Sequence, residues 1–344
     1  MKSLKQFFVI ACFSVYFFSY VSCATFGAAS AEEYYTLGMA YFELGKFEDA
    51  EQWLNRARAA DKTKTASEYN LGRIAFETGR YKDAKAHFKK VLAKDPSNVM
   101  ALKAAAYTCI KTGELEEAEK FYRLVLDLVE DSADDGYNYA LVLYAMKKYE
   151  AAEELIANQQ YALLENKDML LLYARTRKAQ DKVEAADSYA KWLVDNKDPK
   201  VRYEYAQVLE KAELYARALE ECRTALTELK DDTKDPAKGE LRYTIARLIF
   251  IADGENPEGM TELKGAIADG YNDFETLEKL LTDEKISAAL RDEIRPIIND
   301  AKRADAEKEA AREADKKAAA KETGESKTPE TASGAGAANG GTVR

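Results

Sequence analysis

Histidine and cysteine, which supply many of the nucleophiles, bases and metal ligands of proteins, are few in this 344-residue chain. It has one histidine, His87, and four cysteines. Zinc sites draw on histidine and cysteine ligands, so carboxylates would have to supply most of any coordination sphere. His87 lies among Lys85, Lys89 and Lys90, which predicts a solvated side chain. With no nucleophile, oxyanion or phosphate motif in the sequence, we predict no catalytic residues, no metal site, no cofactor and no enzymatic activity.

The composition indicates a helical protein that does not bind nucleic acid. Only 17 glycines and 6 prolines are present, so the backbone has few places to turn sharply. The chain has 51 lysines and arginines against 61 aspartates and glutamates, a net charge of -10. Neutralising phosphates requires a basic face. The acidic balance therefore favours protein partners.

The first 31 residues have the pattern of an export signal. Lys2 and Lys5 precede an uncharged apolar run, Phe7 to Tyr20, of the length that a secretory signal requires. Cleavage after Ala31 would make residues 1–31 a signal peptide. Alternatively, Cys23 ends a stretch similar to a bacterial lipobox, with 1–22 as the lipoprotein signal and 23–31 as a tether.

An uncleaved anchor is a third outcome for this segment, because the uncharged stretch from Gln6 to Ala31 could nearly span a bilayer. In all three outcomes the rest of the chain is exported. The sequence thus predicts a periplasmic protein, or one anchored to a membrane on its extracytoplasmic side through Cys23 or through the uncleaved segment.

A 34-residue period runs through the middle of the chain. Pairs of small residues twelve positions apart recur in six copies: Gly38/Ala50, Gly72/Ala84, Ala106/Ala118, Ala140/Ala152, Ala174/Ala186 and Ala206/Ala218. Apolar residues surround each pair at spacings of three and four, as on the buried stripe of a helix. These pairs predict places where two antiparallel helices cross closely.

The repeating positions closely resemble the tetratricopeptide repeat family. Leu37-Gly38, Tyr41, Gly45, Phe47, Ala50 and Leu54 return as Leu71-Gly72, Ala75, Gly79, Tyr81, Ala84 and Phe88. This resemblance implies an all-α, right-handed α-solenoid of six to seven helical hairpins over residues 32–302, with a degenerate seventh repeat at 239–270. Residues 273–281 and 286–294 are predicted to be two short capping helices. Residues 303–344 are predicted to be a charged helical extension followed by a disordered tail.

Cys109 and Cys222 occupy core positions of two repeats that are three repeats apart. That separation is far beyond the reach of a disulfide. Both are predicted to be buried apolar residues with free thiols.

The resemblance also implies where a partner would bind, because ligands of this family usually lie along the first helix of each hairpin, in a concave groove. Side chains there are mostly aromatic in the N-terminal repeats: Tyr35, Met39, Phe42, Tyr69, Arg73, Phe76, Lys103, Tyr107, Tyr137 and Tyr144. The family's clamp for a terminal carboxylate is absent, since Asn70 alone matches it. Some of the aromatic residues could instead pack against neighbouring repeats.

The sequence therefore favours a non-catalytic scaffold in the bacterial envelope that holds a segment of another envelope protein or peptide in this groove. An alternative is an accessory ligand-binding or coupling subunit of a periplasmic solute-uptake system. A role in outer-membrane or cell-wall assembly differs from the first hypothesis only in the partner.

Overall fold

The computed structural model describes residues 30–129, 132–158, 166–230 and 233–324. The predicted export segment with Cys23 and the predicted disordered tail lie outside these ranges. Every regular element within them is a helix, which confirms the all-α prediction.

Sixteen helices follow one another in the described ranges. Those up to the fifth hairpin are α1 (Ala31–Glu43), α2 (Phe47–Ala57), α3 (Asp61–Glu77), α4 (Tyr81–Lys94), α5 (Val99–Thr112), α6 (Leu115–Leu128), α7 (Ala133–Ala145), α8 (Tyr149–Asn158), α9 (Lys167–Ala179) and α10 (Ala185–Leu193). The remainder are α11 (Pro199–Lys211), α12 (Tyr215–Glu228), α13 (Lys238–Ala252), α14 (Glu258–Ala268), α15 (Phe274–Lys279) and α16 (Ala288–Gly324). Short turns join the two helices of each hairpin.

The chain divides into two compact units, Met1–Ser188 and Tyr189–Arg344. The boundary falls inside α10. In the first unit, α1 packs on α2, α3 on α4, α5 on α6 and α7 on α8, and each hairpin also contacts the next one along the chain. In the second unit, α11 packs on α12 and α13 on α14.

In the first six hairpins, the turn between the two helices passes through the left-handed region at one recurring position. The first three such residues are glycines, Gly45, Gly79 and Gly113, with φ between 70° and 75°. The next three have side chains but similar φ values of 58° to 62°: Lys147, Asp181 and Glu213. Left-handed backbone is unfavourable for residues with a Cβ. Packing of the hairpins therefore holds the turn in this conformation even where the sequence has no glycine at this position.

The predicted helix crossings are confirmed in five of the six hairpins. Gly38 and Gly72 are buried, and a Cβ on Gly72 would lie 2.6 Å from Cε1 of Phe88 on the facing helix. Only a residue without a side chain fits at that separation. The fifth pair is wrong by one position, because Ala185 is fully buried while Ala186 is half-buried. α10 begins at Ala185 and so presents a different residue to the core.

Ion pairs repeat with the same period and connect consecutive hairpins of the first unit. In each, the second helix of one hairpin contacts the turn of the next, across 29 residues: Glu51–Arg80, Lys85–Glu114, Glu119–Lys148 and Glu153–Lys182. In three of the pairs, the acidic residue comes before the basic residue in the sequence. The second pair has both signs reversed, so its attraction is retained. We call these four pairs the charge ladder.

Glu117 joins the second pair of the ladder and makes the stability of this region depend on pH. Hydrogen bonds from Lys89 and Lys85 lower the pKa of the Glu117 carboxyl to about 2. A carboxyl whose pKa is depressed on folding stabilises the fold above its unfolded pKa of about 4.3, and that stability is lost as the pH falls towards the folded value.

We therefore expect Glu117→Gln to lower the urea midpoint most at pH 7, with a difference from the unmodified chain that shrinks between pH 5 and pH 3. Circular dichroism during urea unfolding at several pH values measures this. A difference that stays constant with pH would contradict the role given to the carboxylate.

The second unit contains the degenerate seventh hairpin and its cap, as predicted. Gly259 takes the second small position, and a Cβ there would lie 2.6 Å from Cε1 of Phe250. Residues of α15, of the turn after it and of α16 join the same buried cluster: Leu277, Leu280, Ile286, Leu290, Ile294 and Ile298. The second capping helix is not short, however. α16 has 37 residues and runs through the boundary predicted at 302/303.

Candidate functional site

The ten residues predicted to form the groove lie on α1, α3, α5 and α7, all in the first unit. We call them the aromatic strip. Nine are half-buried, while the Tyr107 side chain is 44% exposed. Half-burial suits a recognition surface, since one side of each side chain is held by the fold and the other is open to a ligand.

Contacts between α1 and α3 hold the start of the strip. Asn70, on α3, donates from Nδ2 to the Tyr35 hydroxyl at 3.0 Å and accepts at Oδ1 from Arg73 at 3.1 Å. The Arg73 guanidinium lies over the Phe42 ring, 4.4 Å from its centroid. Hydrogen bonding and cation–π contact thus orient one cation and two rings before any partner binds.

The strip continues from α3 to α5 through a ring contact. Phe76 and Tyr107 have centroids 5.3 Å apart, and Lys111 lies 5.2 Å from the Tyr107 centroid. Met100, two helical turns before Tyr107 on the same side of α5, is 61% exposed. Tyr107 and Met100 are therefore the most exposed apolar residues in and beside the aromatic strip.

Lys103 has a partner inside the fold. Its ammonium lies 2.5 Å from Oδ2 of Asp135, a buried carboxylate on α7 that also accepts from the Ser132 hydroxyl. Lys103 therefore connects two hairpins and is not a free cation. Beyond it, burial and the nearby Asp168 carboxylate raise the pKa of Tyr137, so this phenol remains a neutral hydrogen-bond donor.

Three rings of the strip also pack on the aromatic residue that begins the second helix of their own hairpin. The pairs are Phe42–Phe47, Phe76–Tyr81 and Tyr144–Tyr149, with centroids 5.3 to 5.7 Å apart. Sequence reasoning did not identify these supporting contacts, although the recurrence of an aromatic residue five positions later was visible. Met39 packs on the core formed by α1 to α3, and Tyr69 packs on Phe88 at 5.7 Å.

The prediction for His87 is wrong. Its Nδ1 lies 2.6 Å from Oε2 of Glu68, and its side chain is 18% exposed. Glu68 also contacts Arg58 and Lys90. Burial acts to raise the pKa of this carboxyl, but the hydrogen bond with His87 and the neighbouring cations together lower it. The partner was not recognised because it lies on the other helix of the hairpin.

Within the described residues, Cys109, Glu114 and Glu117 bring three ligand atoms within 4.8 Å of one another. The Lys85 ammonium contacts both carboxylates, and burial raises the pKa of the Cys109 thiol to about 12. A protonated thiol is a poor metal ligand, so an internal ion pair accounts for the group. Cys109 and Cys222 are buried with free thiols, as predicted.

Comparison with family models agrees with this geometry. Residues 31–64, 75–135 and 134–164 match models described as tetratricopeptide repeat. The chain contains tetratricopeptide repeats. The all-α tetratricopeptide solenoid inferred from the 34-residue period is thus confirmed. Such repeats are generally non-catalytic interaction modules.

Comparison with solved structures finds other proteins that are similar to this chain. A crystal structure of a tetratricopeptide repeat protein from Parabacteroides merdae ATCC 43184 has 19% identity and a TM-score of 0.50, covering 76% of this chain and 98% of that one. YrrB, described as a TPR protein with an unusual peptide-binding site, has 17% identity and a TM-score of 0.48 over 56% of this chain and 96% of its own. Pseudomonas aeruginosa PilF has 20% identity and a TM-score of 0.46 over 67% and 96%. No curated protein sequence matches the chain.

Proposed function

We propose that this tetratricopeptide protein is a non-catalytic scaffold of the bacterial envelope that binds a segment of another envelope protein along the aromatic strip. The observation that carries the proposal is the continuity of the strip. Contacts connect Tyr35 and Phe42 on α1 to Arg73 on α3, and Phe76 on α3 to Tyr107 on α5. A ligand would meet side chains that are already ordered, so binding would cost little side-chain entropy.

The strip suits an extended or helical peptide with apolar residues at intervals. Tyrosine and phenylalanine offer large apolar area, and the tyrosine hydroxyls can hydrogen-bond a peptide backbone. Arg73 adds one cation, while the charge of Lys103 is already neutralised by Asp135. Recognition would therefore rest mainly on ring contacts.

The start of α1 supports retention of the N-terminal segment. Ser30 caps α1: its hydroxyl accepts from the backbone N–H of Glu33, and the Glu33 carboxylate accepts from the Ser30 N–H. Cleavage after Ala31 would remove this capping box, which stabilises a helix by about 1 kcal/mol. We propose anchoring through lipidated Cys23, or through the uncleaved segment, on the extracytoplasmic side of a membrane. The mass of the mature N terminus tests this.

Among the described residues, no helix is both long enough and apolar enough to cross a bilayer. The proposed anchor therefore rests on the sequence of the first 29 residues.

Photocrosslinking in intact cells tests the position of the partner. A photoreactive amino acid at Tyr107 should give a discrete crosslinked protein, because this side chain is 44% exposed within the strip. Leu124 is the matched control: it is 47% exposed and lies on α6, a second helix. A crosslink of equal yield from Leu124, or only from Leu124, would contradict binding along the strip.

Substitution of the strip gives an independent measurement. We expect alanine at Tyr69, Tyr107 and Tyr137 together to abolish recovery of the crosslinked partner in a pull-down. Native mass spectrometry of the purified protein addresses the solute-uptake alternative, since a retained small apolar ligand would favour that function. Unchanged recovery of the partner by the triple variant would show that the partner does not bind along the strip.

A further inference from the structure

α1 has a second apolar face, distinct from the aromatic strip. Tyr34, Leu37, Tyr41 and Leu44 recur at spacings of three and four residues, which places them along one side of the helix. Leu37 is 37% exposed and Leu44 is 70% exposed, while the two tyrosines are half-buried. We call these four residues, together with Trp53 on α2, the end face.

Later hairpins show what this side of a first helix normally contacts. The positions equivalent to Leu37 in the second and third hairpins are Leu71, 2% exposed, and Ala105, fully buried. The positions equivalent to Tyr41 are Ala75 and Cys109, which are also buried. The preceding hairpin covers this side: Leu71 packs in one cluster with Ala50 and Leu54, and Ala105 in another with Ala84 and Phe88. α1 follows no described hairpin, so its end face has no such cover.

The end face is chemically unlike a usual solenoid terminus. Terminal repeats normally present a polar outer surface for solubility. Here Tyr34 stacks on Trp53 with centroids 5.7 Å apart, and Arg56 lies 4.5 Å from the Trp53 centroid. The Lys46 ammonium lies 5.9 Å from the Tyr41 ring centroid. Aromatic rings beside cations, with two exposed leucines, are the side chains enriched where proteins meet the membrane–water interface.

The chain before α1 determines how far the end face can lie from a membrane. Cys23 is seven residues before Ser30, which corresponds to at most about 25 Å of extended chain. If the segment is uncleaved, the uncharged stretch that could span the bilayer ends at Ala31, the first residue of α1. With either anchor, the first hairpin is held beside the bilayer at a high effective concentration.

We propose that the end face rests in the interfacial layer of the membrane that anchors the chain, with Leu37 and Leu44 among the headgroups and Trp53 at their level. This inference rests on the proposed anchoring. It leaves the aromatic strip free, because the two faces lie on different sides of α1.

The charge of the first hairpin favours a lipid surface over a second copy of the chain. Residues 31–57 contain six carboxylates and two cations, so two such ends would repel each other. The same excess of carboxylates favours zwitterionic lipids over anionic ones.

Tryptophan fluorescence tests the proposal directly, since the chain has two tryptophans, Trp53 and Trp192. The full chain with its native N terminus and the substitution Trp192→Phe is reconstituted into phosphatidylcholine vesicles whose acyl chains carry bromine. We expect loss of most of the Trp53 emission relative to vesicles without bromine. The matched variant Trp53→Phe, which reports Trp192 alone, should keep its emission.

Two further outcomes separate this inference from the proposed function. If the protein floats with the vesicles and Trp53 is not quenched, the anchor stands and the contact is wrong. If the protein does not float with the vesicles, the anchor and the contact are both wrong. Leu37→Asp with Leu44→Asp should restore Trp53 emission without changing flotation or partner recovery. Persistent quenching in that variant, or a stable dimer in light scattering that requires the two leucines, would also overturn the proposal.

Discussion

Gly72→Ala is expected to destabilise the protein by about 1 kcal/mol. The new Cβ would lie 2.6 Å from Cε1 of Phe88, well inside van der Waals contact. The Phe88 ring is 1% exposed and packs against Tyr69, so it has little room to withdraw. Overpacking of this kind costs about 1–3 kcal/mol, and the gain in helix propensity of about 1 kcal/mol offsets only part of it. Urea unfolding followed by circular dichroism measures the change.

A second substitution distinguishes the clash from a general effect at Gly72. At the equivalent place in the fourth hairpin, Ala140 is paired with Ile156, and both are fully buried. We therefore expect Gly72→Ala with Phe88→Ile to be more stable than the sum of the two single changes predicts. Strict additivity, or no loss in Gly72→Ala itself, would mean that α3 and α4 separate to accept the methyl group.

Lys85→Glu is expected to destabilise the junction between the second and third hairpins by about 1–2 kcal/mol, the range for charge-assisted hydrogen bonds reduced by partial exposure. The Lys85 ammonium contacts Glu114 and lies 2.9 Å from Glu117. A glutamate there would remove both ion pairs and bring three carboxylates together. The loss should diminish in high salt, because screening weakens repulsion between partly exposed charges.

Reversal of both members of this pair should recover stability, because the other three pairs of the ladder already have the opposite polarity. We expect Lys85→Glu with Glu114→Lys to be about 1 kcal/mol more stable than additivity predicts. Glu114→Lys alone is the second single variant that the double-mutant cycle requires. A coupling energy of zero would show that the ladder contributes nothing to hairpin contacts.

The reversed pair also bears on the order of the hairpins. If the second hairpin were stacked on the fourth, Lys85 would face Lys148, and if the first were stacked on the third, Glu51 would face Glu114. Like charges would oppose both arrangements. Hairpins with similar apolar faces are thus distinguished by charge.

The sequence predicted the fold because each hairpin needs the same few small and apolar residues at the same spacing. Gly38, Gly72 and Ala106 marked the helix crossings correctly, and the cysteines at core positions are buried as predicted. The ten residues of the aromatic strip were located from the same period, and contacts connect several of them. Their role in binding stays a prediction.

The sequence could not indicate contacts between residues that are far apart along the chain. His87 seemed to have only lysine neighbours along the chain, yet its partner Glu68 is nineteen residues away on the facing helix. Lys103 was predicted to line the groove, but packing brings the buried Asp135 beside its ammonium. The shift from Ala186 to Ala185 depends on where α10 begins, which is set by its neighbours.

By itself the sequence determined the helical class, the repeat length and the positions of closest approach, since these follow from local periodicity and residue size. Only the tertiary structure decided which charges are neutralised, which rings are supported by a second aromatic ring and which side of α1 is uncovered. The charges of the ladder and the uncovered side of α1 depend on what a neighbouring hairpin places against a residue, and side chains that meet there are about thirty positions apart in the chain. The rings depend on how the two helices of their own hairpin pack.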